Sequence, residues 1–315
     1  MGDSVRWAKM AGSRYSGPYA RGTCSYALPP DPTGFDVIVA AVARPEGGNY
    51  DTVVMYDGTA VTYGLLQWTF TSGRLHKLLA ATALALGETS STWESFSQEL
   101  YRLTTLKIDP SRGKLYLGGQ PRMREVTNYF SLRDVCTPPE GACPKTGPNW
   151  EKAKAIALLF SKLGENSISQ KAQIDFFREE LKQAINVKRP QMANKTIASF
   201  LYPNGWEDDG PESTFAGPNE LSRSRCLTAA RALFWGMWQN SPAKAQSFLG
   251  KTAGFDLATQ EGVERLAKLF AYTTFARWGV EKAKQAKKPY QSRYQKVATE
   301  INLAMRQKIV PEYWK

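Results

Sequence analysis

One segment of the sequence, residues 35–43, constrains the fold most, because all but one of its positions are apolar. A helix that is apolar on all sides is stable only where other elements cover it. Thr33 and Asp36 have the spacing of a capping box, which predicts the start of the helix. Pro45 and the glycine at position 47 predict its end, because proline disfavours helical backbone at the residue before it. We therefore expect a helix that is buried on most sides.

Three carboxylates follow this helix within a short stretch of chain. Glu46 comes directly after the predicted helix end, Asp51 lies five residues further on, and Asp57 lies eleven residues further on. Asp57 and the glycine after it stand between two runs that favour β-strands, which predicts a hairpin over residues 53–63. Such a hairpin can bring either aspartate back across from the helix end.

This order of carboxylates favours glycoside hydrolysis, which commonly uses one protonated and one ionised carboxyl. Glu46 ends an apolar helix, where burial would raise the pKa of a carboxyl, so we predict Glu46 to be the general acid. Asp57 is the first choice for the base or electrostatic stabiliser, although an Asp-Gly pair also makes a turn without any chemistry. Asp51 is the alternative partner, or else a solvent-facing loop residue.

The residues after the hairpin give a more specific indication. Residues 63–67 read Tyr-Gly-Leu-Leu-Gln. Their order after a helix that ends in glutamate resembles the lysozyme superfamily, particularly goose-type lysozymes and soluble lytic transglycosylases. Those families carry a catalytic Glu at a helix end, then a hairpin, then Gly-Leu-Met-Gln. Here Leu66 stands where methionine is usual, and Gly47 stands where a serine often follows the acid.

The resemblance implies a peptidoglycan-cleaving glycosidase, either a muramidase or a lytic transglycosylase, that needs no metal and no organic cofactor. Glu46 would be its acid, acting on peptidoglycan glycan strands. The resemblance also assigns substrate binding to five residues: Tyr56, Thr62, Tyr63, Gln67 and Trp68. Gln67 would orient substrate or a loop carbonyl, and Trp68 would stack on a sugar. Core packing is the alternative for Tyr63 and Trp68, and a helix cap is the alternative for Gln67.

The distribution of apolar and turn-forming residues predicts an α+β protein that is mostly α-helical. We expect an N-terminal arm over residues 1–30 and a lysozyme-like catalytic core with a small β-hairpin over residues 31–135. A helical region over residues 150–315 is expected to pack on the core. A linker rich in proline and glycine, residues 136–149, precedes it, although the two regions can also form one continuous domain.

The chain has four cysteines and a single histidine, His76. Cys136 and Cys143 flank a turn-rich stretch and either close a small disulfide loop or stay free thiols. No Cys-x-x-Cys pair is present, so we expect no zinc site. One histidine, expected on a helix surface or groove, also argues against a Ser-His-Asp or Cys-His catalytic centre.

The chain is strongly basic, with 41 Lys and Arg against 29 Asp and Glu and a net charge of +12. Such a charge favours polyanionic partners, among them nucleic acid, anionic lipid and the bacterial cell wall. No segment approaches the roughly 18 apolar residues of a membrane span, and residues 1–12 do not form a signal peptide. We therefore expect action at the bacterial wall or periplasm after delivery by a phage particle, as an endolysin, or by secretion machinery.

A non-catalytic alternative is a basic virion or nucleic-acid-binding structural protein. Arginine and aromatic residues are neighbours at several places, such as Arg14-Tyr15 and Arg293-Tyr294. However, the sequence has no glycine-rich phosphate loop, RNA-recognition motif or zinc finger. Nucleic acid is therefore the less favoured partner.

Overall fold

The computed structural model describes most of the chain. The described residues are 5–9, 15–57, 60–70, 72–118, 124–126, 145–203, 205–206, 223–239, 241–271 and 293–312. Cys136 and Cys143 lie outside these ranges, so the choice between a disulfide and free thiols stays open.

Helices make up most of the described structure, together with two small antiparallel sheets. The helices are α1 (Gly34–Ala43), α2 (Arg74–Leu86), α3 (Ser91–Thr104), α4 (Pro148–Glu165), α5 (Ser167–Ile185), α6 (Ala198–Leu201), α7 (Arg223–Trp238), α8 (Pro242–Lys251), α9 (Gln260–Ala271) and α10 (Arg293–Ala304). The strands are β1 (Val5–Lys9), β2 (Ser16–Ala20), β3 (Val53–Val54), β4 (Thr62–Tyr63), β5 (Trp68–Thr69), β6 (Leu106–Asp109), β7 (Lys114–Leu117) and β8 (Arg124–Glu125). Two 3-10 turns cover Arg44–Glu46 and Pro190–Met192. The prediction of a mostly helical α+β protein is confirmed.

The chain divides into two compact units, and their boundaries differ from the expected ones. The first unit contains Met1–Tyr26 and Gly48–Arg178, and the second contains Ala27–Gly47 and Glu179–Lys315. Helix α1 therefore belongs with the C-terminal helices and not with the hairpin that follows it. Local sequence patterns show which surface of an element is apolar, but they do not show which distant element covers it.

The first unit contains both sheets. Strands β1 to β5 form a five-stranded sheet in sequence order, and β6 to β8 form a three-stranded sheet. The expected N-terminal arm thus contributes two strands to a sheet. Strand β3 pairs with β4, with Val53 opposite Tyr63 and Val54 opposite Thr62, which confirms the predicted hairpin. Residues 55–61 connect the two strands, so the connection is longer than a two-residue Asp-Gly turn.

Helix α1 is the central element of the second unit, and it packs against α7 and α10. A capping box of Thr33 and Asp36 starts it, as predicted. The three helices approach closely at Gly236, where a Cβ atom would come within 2.7 Å of a Val297 methyl and 3.2 Å of the Ala41 carbonyl oxygen. The prediction of a helix covered on most sides is confirmed, since every residue of α1 except Asp36 is buried.

Candidate active site

Glu46 is the last residue of a 3-10 turn that continues directly from α1. Arg44 keeps right-handed helical backbone, with φ −65° and ψ −40°, so Pro45 does not push it out of the helical region as expected. Proline is accepted at the start of such a turn because the N–H group there needs no helical partner. The chain leaves the turn at Gly47, whose φ is 64°. The structure describes the backbone of Glu46 and not its side chain.

A second carboxyl of the same unit, Glu300, lies beside this turn. Helix α10 packs against the turn, and Glu300 Oε2 lies 3.6 Å from Arg44 Nε, with 18% of the Glu300 side chain exposed. Burial raises the pKa of Glu300, and the guanidinium of Arg44 opposes part of that rise. Sequence patterns gave no signal for Glu300, because it lies on a distant helix and belongs to no motif.

Asp51 is a buried carboxylate with a structural set of partners. Its side chain is 2% exposed. One oxygen accepts hydrogen bonds from Thr23 N at 2.8 Å and Thr23 Oγ1 at 3.4 Å, and the other accepts from Cys24 N at 2.9 Å. A Cβ atom on Gly22 would come within 2.3 Å of Asp51 Oδ1. Asp51 therefore fixes the backbone of residues 22–24, and the solvent-facing alternative is wrong.

Asp57 has a more open environment on the connection after β3. It is partly exposed, and Thr62 Oγ1 donates a hydrogen bond to its Oδ2 at 2.8 Å. Since Thr62 belongs to β4, the hairpin orients this carboxylate from the facing strand. The neighbouring Tyr56 meets Tyr19 edge to face, with ring centroids 5.9 Å apart. Burial raises the pKa of Tyr56, and Tyr19 and Asp57 raise it further. Substrate binding by Tyr56 stays a prediction.

Residues 64–67, which carry the family resemblance, form the tight turn between β4 and β5. Gln67 donates to the carbonyl oxygen of Gly64 twice, from its backbone N at 3.1 Å and from its side-chain Nε2 at 2.7 Å. The backbone is left-handed at both positions, with φ 82° at Gly64 and 55° at Gln67. Gln67 thus contacts a loop carbonyl, and the helix-cap alternative is wrong because no helix begins there.

Gly48 lies against this turn. A Cβ atom on Gly48 would come within 1.9 Å of the Leu65 carbonyl oxygen, so a larger residue does not fit. Gly48 and Leu65 both belong to the first unit. The first unit thus begins again at Gly48, after the second unit's segment, with a close backbone contact to the 64–67 turn.

Three residues that were assigned to substrate binding lie in the core of the first unit. Tyr63 and Trp68 are 0% exposed and Thr62 is 4% exposed. The Tyr63 ring packs on Phe160 with centroids 5.3 Å apart, and the Trp68 ring packs on Phe176 at 5.9 Å. A fully buried ring has no exposed surface for a sugar, so the structure favours the alternative of core packing for Tyr63 and Trp68. Thr62 likewise offers its hydroxyl to a carboxylate and not to a cleft.

Gln173 of α5 is a buried polar residue that sequence patterns did not reveal. Its side chain is 0% exposed. Its Oε1 accepts from Leu65 N at 2.8 Å, and its Nε2 donates to Tyr50 O at 2.9 Å and to Tyr63 Oη at 3.3 Å. A Cβ atom on Gly64 would come within 2.5 Å of this Oε1. One amide thus ties the turn 64–67 to the segment that contains Tyr50.

The single histidine, His76 of α2, is partly buried beside Phe70, with ring centroids 5.2 Å apart. Burial lowers the pKa of its imidazole, and Glu125 opposes part of that shift. The imidazole is therefore neutral near pH 7. Its Nε2 is buried and makes no hydrogen bond to any of the described residues.

The described part of the chain offers no group of three or more His, Cys, Asp and Glu residues that could hold a metal ion. None of its helices is both long and apolar enough to cross a membrane. The structure thus describes Asp51, Asp57 and the 64–67 turn in the first unit, and the turn that ends at Glu46 in the second. No protein-family model, curated protein or solved structure matches the chain.

Proposed function

We propose that the protein cleaves peptidoglycan glycan strands at the β-1,4 bond between N-acetylmuramic acid and N-acetylglucosamine. Glu46 is the general acid and Asp57 is its ionised partner. The observation that supports this proposal most is the contact of Gly48 with Leu65. In this contact Gly48, two residues after Glu46 in the sequence, lies against the turn that follows the hairpin of Asp57.

The environments of the two aspartates decide between them as partners for Glu46. Both Asp51 oxygens already accept hydrogen bonds from the segment Thr23-Cys24, and the side chain is buried. Asp57 is partly exposed, and one of its oxygens accepts from Thr62. A carboxylate that activates water or stabilises positive charge must reach solvent and keep a fixed orientation. Asp57 meets both requirements.

The proposed reaction needs no external oxidant or cofactor. The Glu46 carboxyl gives its proton to the glycosidic oxygen as the bond to the sugar C1 breaks. In hydrolysis, a water oxygen bonds to C1 and its proton passes to Asp57. In transglycosylation, a hydroxyl oxygen of the same muramic acid bonds to C1 instead, its proton passes to Asp57, and an anhydro-sugar forms. Both routes need the Glu46 carboxyl to protonate the glycosidic oxygen, so Glu46→Gln tests either route.

The basic composition fits an anionic wall polymer as the partner. The net charge of +12 raises the local concentration of polyanions around the protein. We propose that a phage particle, an endolysin pathway or secretion machinery brings the protein to the wall. A basic virion or nucleic-acid-binding structural protein is the alternative that the experiment must separate from this proposal.

The test measures loss of turbidity of purified cell walls together with the mass of the soluble products. We expect the native protein to release muropeptides and Glu46→Gln to release none. Glu88→Gln is the matched control, because Glu88 is an exposed glutamate of the loop between α2 and α3. Full lysis by Glu46→Gln would contradict the proposal. Salt-sensitive DNA binding without any lysis would favour the structural alternative.

A further inference from the structure

The three-stranded sheet carries a groove that the proposed reaction does not use. The groove has a volume of about 430 Å³. Its described lining residues are Lys107, Ile108, Asp109, Pro110, Arg112 and Tyr116. All of them belong to β6, β7 and the turn between these strands, so a single hairpin supplies them.

The strand register places the polar lining residues on one face of the sheet. Lys107 lies directly opposite Tyr116, and Asp109 lies opposite Lys114. Directly opposed residues share a face and stand about 5 Å apart at their Cβ atoms. Ile108 lies between Lys107 and Asp109 on β6 and is 5% exposed. The groove therefore presents polar side chains along a hydrogen-bonded hairpin.

Lys107 is the available cation of this groove. It is exposed, and none of the described residues forms an ion pair with it. Lys114 is already paired with Glu125, at 3.1 Å. Arg112 lies 3.8 Å from Asp109 with 69% of its side chain exposed, so this pair is weak in water. Lys107 and Arg112 together can thus take up an anionic group.

Asp109 is an ionised acceptor held in place by its own turn. Its Oδ1 accepts from Ser111 Oγ at 2.7 Å and from Arg112 N at 3.3 Å. The Ser111 hydroxyl and then the backbone and charge of Arg112 hold the pKa of Asp109 below its ordinary value. A carboxylate of this kind accepts hydrogen bonds from hydroxyl groups.

The combination of these groups discriminates between two kinds of polyanion. The Tyr116 ring offers a flat apolar surface that suits either the C–H face of a sugar or a nucleobase. The Asp109 carboxylate accepts hydrogen bonds from sugar hydroxyls and is repelled by a phosphodiester backbone, which carries one charge per nucleotide. Lys107 attracts a negative group on a ligand that contacts the ring. A glycan with carboxylates brings many hydroxyl donors and a lower density of negative charge than a nucleic acid.

We propose that this groove is a binding site for an acidic glycan. A sugar ring stacks on Tyr116, a hydroxyl donates to Asp109, and a carboxylate of the glycan pairs with Lys107. This proposal rests on the proposed function in one respect, which is that the glycan comes from the bacterial wall. Binding at the hairpin itself does not require Glu46.

The probe is a peptidoglycan glycan strand freed of its peptides, which has one free lactyl carboxylate per disaccharide. It is titrated into Glu46→Gln protein, and binding is followed by NMR at the backbone amides of residues 106–117. This local readout excludes binding elsewhere on the chain. We expect saturable shifts at these amides. A neutral N-acetylglucosamine oligomer should bind about tenfold more weakly, because it lacks the group that pairs with Lys107.

Three variants separate the contributions to binding. Lys107→Ala should weaken binding of the acidic strand about tenfold and leave the neutral oligomer unaffected. Tyr116→Leu should weaken both ligands about tenfold, whereas Tyr116→Phe keeps the ring and should stay within about twofold of the parent. Lys152→Ala, an exposed lysine of α4, is the matched control and should not change binding. Because Lys107 is exposed, its variant keeps the test valid if Tyr116→Leu fails to fold.

Three outcomes would overturn the proposal. The first is the absence of shifts at residues 106–117 with the acidic strand, and the second is equal affinity of Lys107→Ala and the parent for that strand. The third is tighter binding of oligothymidylate than of the glycan, strengthened by Asp109→Asn, which would make the groove a nucleic-acid site. Failure of the proposed function is a separate result, since it shows as absence of lysis by the native protein or as wall lysis by Glu46→Gln, and it leaves these titrations unchanged.

Discussion

Asp51 and Asp57 stand on either side of strand β3, yet the fold uses them in different ways. Asp51 is 2% exposed and accepts hydrogen bonds from the backbone N–H groups of Thr23 and Cys24. Asp57 is partly exposed and accepts from the hydroxyl of Thr62. The first carboxylate holds backbone in place, and the second is partly exposed on the connection of a hairpin. Burial and the type of partner therefore distinguish two aspartates that lie close together in the sequence.

The largest effect is expected for Asp57→Asn. Asparagine keeps the size of the side chain and removes the charge and basicity, so wall lysis should fall at least about 100-fold. The free energy of unfolding should change by less than about 1 kcal/mol, because the residue is partly exposed. Lysis rates and urea unfolding measured on the same preparation check both statements. Lysis at the parental rate would remove Asp57 from the mechanism.

Asp51→Asn is expected to lower stability and to leave lysis nearly unchanged, the reverse of Asp57→Asn. An amide has one acceptor oxygen, so its NH₂ group would face one of the two backbone N–H donors that Asp51 now binds. The free energy of unfolding should fall by about 2 to 3 kcal/mol, the cost of a buried donor without a partner. Lysis per folded molecule should stay close to the parental value. A large loss of lysis at unchanged stability would instead make Asp51 the partner of Glu46 and reverse the comparison.

A smaller effect is expected for Thr62→Val, which keeps the shape and removes the hydroxyl that orients Asp57. Lysis should fall about tenfold, the equivalent of one lost hydrogen bond of roughly 1.4 kcal/mol. The matched control is Thr92→Val, at an exposed position of α3. In the double variant with Asp57→Asn, the Thr62 change should have no further effect on lysis. Additive losses would mean that Thr62 acts independently of Asp57.

The smallest effect is expected at Glu300, a carboxyl with little exposed surface and a long ion pair instead of backbone donors. Burial raises the pKa of Glu300 in the folded state, so the folded protein holds this proton more tightly than the unfolded chain. The protonated carboxyl therefore contributes to the free energy of unfolding at pH values below the ordinary pKa of glutamate. That contribution is lost as the pH rises through the raised pKa. The free energy of unfolding, measured with urea between pH 4 and 7, should therefore fall less with rising pH in Glu300→Gln than in the parent. Glu261→Gln, an exposed position of α9, should follow the parent. An unchanged slope in Glu300→Gln would show that Arg44 fully compensates the burial.

Features that depend on neighbouring residues could be predicted from the sequence. The capping box of Thr33 and Asp36, the apolar character of α1 and the hairpin of β3 and β4 are of this kind. The end of α1 at Ala43 lies close to the predicted one, although the chain continues as a 3-10 turn through Pro45 and leaves that turn at Gly47. These features follow from side-chain spacing and backbone preference alone.

Features that depend on distant residues could not be predicted in this way. The partners of Asp51 lie at residues 23–24, and Gln173 reaches the 64–67 turn from α5. An aromatic residue such as Trp68 fits a sugar site or a core equally well until its neighbours are known. A glutamine such as Gln173 has no periodic pattern that marks it as buried. The close contact of Gly48 with Leu65 likewise depends on the fold and has no signal in the local sequence.

The most direct test of the glycosidase proposal is mass spectrometry of the soluble products from purified peptidoglycan. The native protein and folded Asp51→Asn should release disaccharide muropeptides with either reducing or anhydro ends, and Glu46→Gln and Asp57→Asn should release almost none. Reducing ends would identify a muramidase, and anhydro ends a lytic transglycosylase. Absence of soluble muropeptides from the native protein, or equal amounts from Glu46→Gln, would contradict the central claim.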